Sequence, residues 1–141
     1  MNIKIITNDE ELQQAYYVRK TVFVEEQNVP LEEEIDHLEK ESTHFLVTNE
    51  QNEPIGTGRF RIVDGYGKIE RICVMADVRT SGVGRSLMEA IEQYALSKGV
   101  EITKLHAQVQ AIPFYENLGY AIISDEFLDA GIPHRTMKKR L

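Results

Sequence analysis

The chain has 141 residues, 42% hydrophobic and 28% charged, with 16 basic against 23 acidic side chains and a formal net charge of -7. That length suits one domain around one core, the acidic balance argues against nucleic acid as the main partner, and no apolar run approaches the roughly 20 residues that span a bilayer. Met1-Asn2-Ile3-Lys4-Ile5-Ile6 is too short for a secretory signal and too soon followed by Asp9-Glu10-Glu11; the single cysteine, Cys73, forms no internal disulfide, and both features suit a cytoplasmic setting.

Residues 2–6 are expected as a first strand, and Thr7-x-x-Glu10 as a capping box opening a helix that carries Leu12, Ala15, Tyr16, Val22 and Phe23 inward. Pro30 and a dense acidic run then predict a loop with one or two helical turns. His44–Thr48 and Ile55–Val63 read as strands around Glu50-Gln51-Asn52-Glu53-Pro54, and Asp64-Gly65-Tyr66-Gly67 turns into a strand over Lys68–Met75. An amphipathic helix over Gly84–Lys98 places Leu87, Met88, Ile91, Tyr94 and Ala95 on one face. Strand 103–107, helix 109–118, strand 120–124 and a last strand near His134–Lys139 complete an α/β (α+β) chain. Its sheet is mixed and mostly antiparallel, flanked by helices, in a single domain over 1–141 without repeats or linkers.

Between the strand ending at Met75 and the helix from Gly84 lies Arg79-Thr80-Ser81-Gly82-Val83-Gly84-Arg85, an R-x-x-G-x-G turn. Glycines there allow close approach, the first helical amides lack intrahelical partners, and Arg79 and Arg85 add positive charge, so the turn suits a pyrophosphate. No Gly-Lys-Ser/Thr follows, and the glycine order is not that of a dinucleotide fold. A tight turn with a packing contact is the bland alternative.

A second segment, Gln108-Val109-Gln110-Ala111-Ile112-Pro113-Phe114-Tyr115-Glu116-Asn117-Leu118-Gly119-Tyr120, follows the strand ending at Ala107 and closes on a helix-terminating glycine. With the R-x-x-G-x-G turn before it, Ala111-x-x-Phe114-Tyr115-x-x-Leu118-Gly119-Tyr120 resembles the GNAT superfamily of acyl-CoA-dependent N-acyltransferases. The likeness extends to a small bacterial ElaA-like or YjcF-like branch through Arg19-x-x-Val22-Phe23-Val24-x-Glu26-Gln27, Glu34-Ile35-Asp36 and Gly131-Ile132-Pro133-His134.

The resemblance implies a parallel strand pair, ending near Met75 and beginning near Thr103, that splays to admit pantetheine. The backbone of Ile72, Cys73 and Val74 would pair with it and polarise the thioester. Arg79 to Arg85 would hold the pyrophosphate, with contacts from Gln108, Phe114 and Tyr115. Gln108 stands where relatives often carry asparagine. Tyr115 would protonate the leaving sulfur, and its alternative is an aromatic core residue beside Phe114.

An amine acceptor needs a base, because a lysine-like amine with a reference pKa of about 10.4 is almost wholly charged at neutral pH. Glu70, two residues before Ile72, shares its strand face if no bulge intervenes and is the leading base; the alternative is a strand carboxylate paired with Arg59, Arg61 or Arg71. The family leads one to expect a bulge in this strand.

Acids Glu25, Glu26, Glu32, Glu33, Glu34, Asp36, Glu39 and Glu41 face only Lys40, whereas Arg59, Arg61, Lys68, Arg71, Arg79 and Arg85 outnumber Asp64, Glu70 and Asp77. An anionic cofactor and a cationic acceptor would sort onto these regions. Most of the acidic run reads as solvated loop. Glu26, Glu34, Asp36 and His134 belong to the branch pattern and are the acceptor-site candidates.

No His/Cys spacing suits a metal, and Cys73 reads as a small buried residue. The reading is therefore an acetyl-CoA-dependent N-acetyltransferase acting on a small primary amine, without a metal, as a monomer or homodimer. The alternatives are a non-catalytic acyl-CoA sensor or assembly protein, and a protein lysine or N-terminal acetyltransferase.

Overall fold

Eight strands form one sheet in the order β1-β2-β3-β4-β5-β8-β6, with β7 paired to β8, in a computed structural model that describes residues 1–141. The strands are β1 (Asn2–Ile5), β2 (Thr43–Thr48), β3 (Pro54–Val63), β4 (Tyr66–Val74), β5 (Ile102–Gln108), β6 (Ala121–Ile122), β7 (Phe127–Asp129) and β8 (Ile132–Arg140). Only β4 and β5 run parallel. The crossover between them is α3 (Val83–Ser97), whose Leu87, Met88, Ile91 and Ala95 are wholly buried in the main core. The opposite face is covered by α1 (Asp9–Arg19): Ile72 and Val74 pack with the main core, while Cys73 between them packs with Val18 and Val22.

Helix α1 starts one residue later than the capping box predicts. Asn8 is the cap, its Oδ1 accepting from the Glu11 amide at 2.8 Å, while Glu11 accepts from the Thr7 amide at 2.9 Å. The helix runs without interruption into a π-helical segment, Lys20–Glu26, and α2 (Leu31–Glu34) follows Pro30. Expected helix 109–118 divides into a 3-10 turn, Val109–Ala111, and α4 (Ile112–Asn117). A hairpin absent from the sequence reading joins β7 to β8 through Ala130 and Gly131, at φ 52 and 76, as a two-residue turn requires.

One irregularity positions the site. Across β3 and β4, Arg59 pairs with Glu70 but Thr57 pairs with Cys73, so Arg71 and Ile72 together face the single residue Gly58. Arg71 takes the left-handed φ of 58. Gly58 tolerates this because a side chain there would meet Ile72 Cδ1 at 2.5 Å.

Candidate active site

Parallel pairing between β4 and β5 stops at Ile69 and Leu105, yet both strands continue, and a cleft of about 1230 Å³ opens beyond that point. The Met75 amide donates to the Ile55 carbonyl at 2.9 Å. Antiparallel alternation then turns the Cys73 backbone to β3 and leaves the Val74 amide facing the gap. The Val74 carbonyl, on the gap side, accepts from Arg79 Nε at 3.0 Å. Of the three residues expected to lend their backbone, Cys73 is thus spent within the sheet, and burial pushes its thiol pKa far up.

At one end of this gap the R-x-x-G-x-G turn leads into α3. Thr80 and Gly82 take φ 67 and 92, and the first intrahelical bond is Ser86 to the Gly82 carbonyl at 3.0 Å. The amides of Val83, Gly84 and Arg85 therefore have no intrahelical acceptor, and the 15-residue helix adds its dipole. Open space surrounds the Gly82 Cα, whereas a Cβ on Gly84 would stand 3.2 Å from Phe114 Cζ. Gly82 serves the left-handed turn; Gly84 serves the approach of α4 to α3. Free amides, an open glycine and a flanking guanidinium fit a pyrophosphate. The Thr80 and Ser81 hydroxyls bond back to the Arg79 and Val78 carbonyls, and exposed Arg85 lies 3.7 Å from Glu89.

Glu26, expected on the acceptor side, instead places both carboxylate oxygens 2.9 Å from Arg79 Nη2. It sits at the phosphate end because the π-helical segment projects it over the turn.

Tyr115 lines the cleft at 8% exposure. Burial raises its pKa well above the ordinary phenol range, so the hydroxyl keeps its proton. That hydroxyl has no hydrogen-bond partner in the chain, and it is not among the sealed unpartnered atoms, which are Glu34 Oε2 and Thr48 Oγ1 alone. It therefore opens on the cleft. Phe114 packs edge-on against its ring at 5.0 Å.

The bulge takes Glu70 off the face it would share with Ile72 in a regular strand, although it still lines the cleft. Ile72 packs toward α3, while Glu70 points to the α1 face, 3.2 Å from Arg59 Nε and 2.8 Å from Arg61 Nε. Burial alone would raise its pKa, but the Arg61 hydrogen bond and the Arg59 charge hold it below the usual carboxylate value. Asp36 accepts two bonds from Arg59 at 2.9 Å and is held far below its usual range for the same reason. Glu34 lies 2.9 Å from Arg19 Nε, and here burial wins and the pKa rises.

Behind them Arg19, Arg59 and Glu39 complete a buried ion network that the sequence reading missed, with both arginines 1% exposed. Its signal was Arg19 on the inward stripe of a helix facing an acidic run. Glu34 and Asp36 do line the cleft, but their oxygens mostly serve arginines.

On the same face, β5 presents His106 and Gln108. Gln108 Nε2 donates to Gln27 Oε1 at 2.8 Å, tying the end of the π-helical segment to β5. His134 is paired in register with Gln108 and stacks on Phe127, with ring centres 6.1 Å apart. His106 meets the edge of the same Phe127 ring at 5.0 Å. Burial and then Lys68 lower the His106 pKa. Period-two alternation from Gln108 was the overlooked signal for His106.

An acetyltransferase (GNAT) domain model matches residues 6–141. An uncharacterized N-acetyltransferase of Bacillus subtilis, YjcF, is 53% identical over 140 residues, covering 99% of each chain. The structure also resembles Escherichia coli ElaA, with 21% identity and a TM-score of 0.84 over 99% of this chain and 100% of that one. An aminoglycoside 6'-N-acetyltransferase solved with coenzyme A shares the fold at 17% identity and a TM-score of 0.79, over 99% and 97% of the two chains. A splayed parallel pair, a phosphate-suited helix start and this family match have one common meaning: the chain belongs to the GNAT acyl-CoA N-acyltransferases, among their small bacterial YjcF-like members.

Proposed function

We propose that the chain transfers acetyl from acetyl-CoA directly to the primary amine of a small molecule, such as an amino acid, an aminosugar or a polyamine. The observation that carries this reading is the Tyr115 hydroxyl, protonated, unpartnered and open on the gap whose wall supplies the Val74 amide. Acetyl-CoA would lie along that gap, its pyrophosphate on the amides of Val83 to Arg85 and its thioester oxygen on the Val74 amide. A C–N bond forms as the C–S bond breaks. Tyr115 gives its proton to the departing sulfur and regains one from the new amide nitrogen.

The acceptor chamber is walled by Glu32 and Glu33 of α2 and by Asp129 and Ile132 of the β7–β8 hairpin. Such bounded walls suit a small amine better than an extended peptide, and their carboxylates suit a cation. Glu70, pinned by two guanidinium groups, stays ionised and contributes charge. The test is calorimetry with acetyl-CoA, then thiol release against pooled primary amines and a lysine peptide. Binding with release by small amines supports the reading. Binding without any release favours the sensor alternative, and release by the peptide alone favours a protein acceptor.

A further inference from the structure

We infer that His134 is the general base that frees the acceptor amine, taking one ammonium proton on Nε2. The inference rests on the N-acetyltransfer reading above and assigns the proton acceptor that Glu70 does not provide. His134 Nδ1 lies 2.6 Å from the Ile132 carbonyl oxygen. A carbonyl only accepts, so Nδ1 carries the hydrogen and Nε2 carries the lone pair.

Nε2 has no partner within the chain. Since the sealed, unpartnered side-chain atoms are Glu34 Oε2 and Thr48 Oγ1, the His134 Nε2 is open to the cleft that its residue lines, although the residue is only 8% exposed. Two constraints fix the ring. Phe127 stacks on it with an interplanar angle of 22°, and the Ile132 bond sets its rotation. Register with Gln108 puts it on the cleft face, one strand from the gap.

The other groups on this face are less suited. Glu70, Asp36 and Glu34 are bound to arginines, and Glu32 and Glu33 are exposed to bulk water. His106, also exposed, has no hydrogen bond to fix its tautomer. A neutral imidazole is intrinsically a stronger base than an arginine-bound carboxylate. The charge interaction between the two histidines is mutual, and His106 on β5 also feels Lys68 and Glu70 across the splay and Asp129 on β7, the strand paired with β8.

In the step, one N–H bond of the ammonium breaks and its proton moves to Nε2. The nitrogen keeps the electron pair for the thioester carbon, and the imidazolium later returns the proton to solvent.

The experiment compares wild type, H134Q, H134A and H106Q for acetyl-CoA affinity by calorimetry and for amine-dependent thiol release, using the best amine of the pool. H134Q should bind acetyl-CoA as wild type does and lose about 10²- to 10⁴-fold in kcat. Added imidazole should restore part of the rate in H134A. Turnover of H134Q within threefold of wild type overturns the inference, as does loss confined to H106Q. Loss of acetyl-CoA binding in both His134 variants makes the residue structural and overturns it too. No amine-dependent release from wild type overturns the parent reading and this one with it, whereas release that survives in H134Q overturns this one alone.

Discussion

Arg59 and Glu70 stand opposite each other across β3 and β4, and the Glu70 carboxylate accepts from Arg59 Nε at 3.2 Å on the last paired step before the bulge. A carboxylate so held is a weak proton acceptor, since protonating it means giving up bonds to two guanidinium groups. Glu70→Gln should therefore lower kcat by less than tenfold while destabilising the fold by about 1–3 kcal/mol, because Arg59 is buried and loses a partner. Steady-state thiol release and urea unfolding measure the two effects. A 10²-fold or greater loss of kcat in a folded variant would return the base role to Glu70.

Acid should unfold the protein through the same network. Asp36, Glu39 and Glu70 all have folded pKa values below their ordinary ones, so their stabilising contribution is full above the unfolded carboxylate range and disappears as pH falls through the lower folded values. Glu34 has the opposite sign, its raised pKa giving stability that grows on acidification. Three groups outweigh one. The urea midpoint should fall steeply below about pH 4, and Asp36→Asn should flatten that slope.

Tyr115→Phe removes a hydroxyl with no partner in the chain, so the melting temperature should stay within about a degree of wild type. The same change removes the sulfur's proton donor. Under the proposed reading kcat should fall about 10²-fold or more with acetyl-CoA affinity unchanged. Equal losses of affinity and turnover would instead point to a packing role.

The two glycines of the phosphate turn should fail differently. Gly82→Ala meets no atom but must hold φ near 92, at a cost of about 1–2 kcal/mol. Gly84→Val would push against Phe114 and loosen α4, on which Tyr115 is carried. Gly82→Asp, adding a negative charge beside the free amides, should weaken acetyl-CoA binding at least tenfold. Calorimetry combined with thermal melts separates these outcomes.

Glu26→Gln should strengthen acetyl-CoA binding severalfold at low salt. Arg79 is held on both oxygens of Glu26, and a phosphate must compete for that guanidinium. Unchanged affinity would mean that Arg79 stays with residue 26 when the cofactor binds.

Element order was legible because period-two runs, glycine turns and the amphipathic stripe of α3 all act locally, whereas the splayed parallel pair came only from the family resemblance. The bulge was not placed, since the left-handed position is an arginine with no glycine to mark it. Glu70 and Ile72 therefore lie on opposite faces, where a regular strand would put them on one. Glu39 reads as solvated within an acidic run and Glu34 as an acceptor contact, whereas both are buried against Arg19, and Glu39 also against Arg59, which arrive from α1 and β3. The β7 strand was missed because three residues, Phe127-Leu128-Asp129, are too few to show alternation. Asn8 displaced Thr7 as cap because both residue types suit the position and geometry alone decides.

The extra residue at Arg71 and Ile72 also gives β4 two reading phases. Before it, even-numbered positions such as Lys68 and Glu70 lie on the face of the ion network; after it, even-numbered Ile72 and Val74 lie on the α3 face. Deleting Arg71 would remove the bulge and leave Glu70, Ile72 and Cys73 on their present faces, whereas straightening the strand with Arg71 kept would drive Cys73 into the main core and Ile72 onto the ion network. Among single-residue deletions in β4, Arg71 is therefore the one the faces tolerate, because a deletion elsewhere shifts the residues between it and the bulge onto the opposite face.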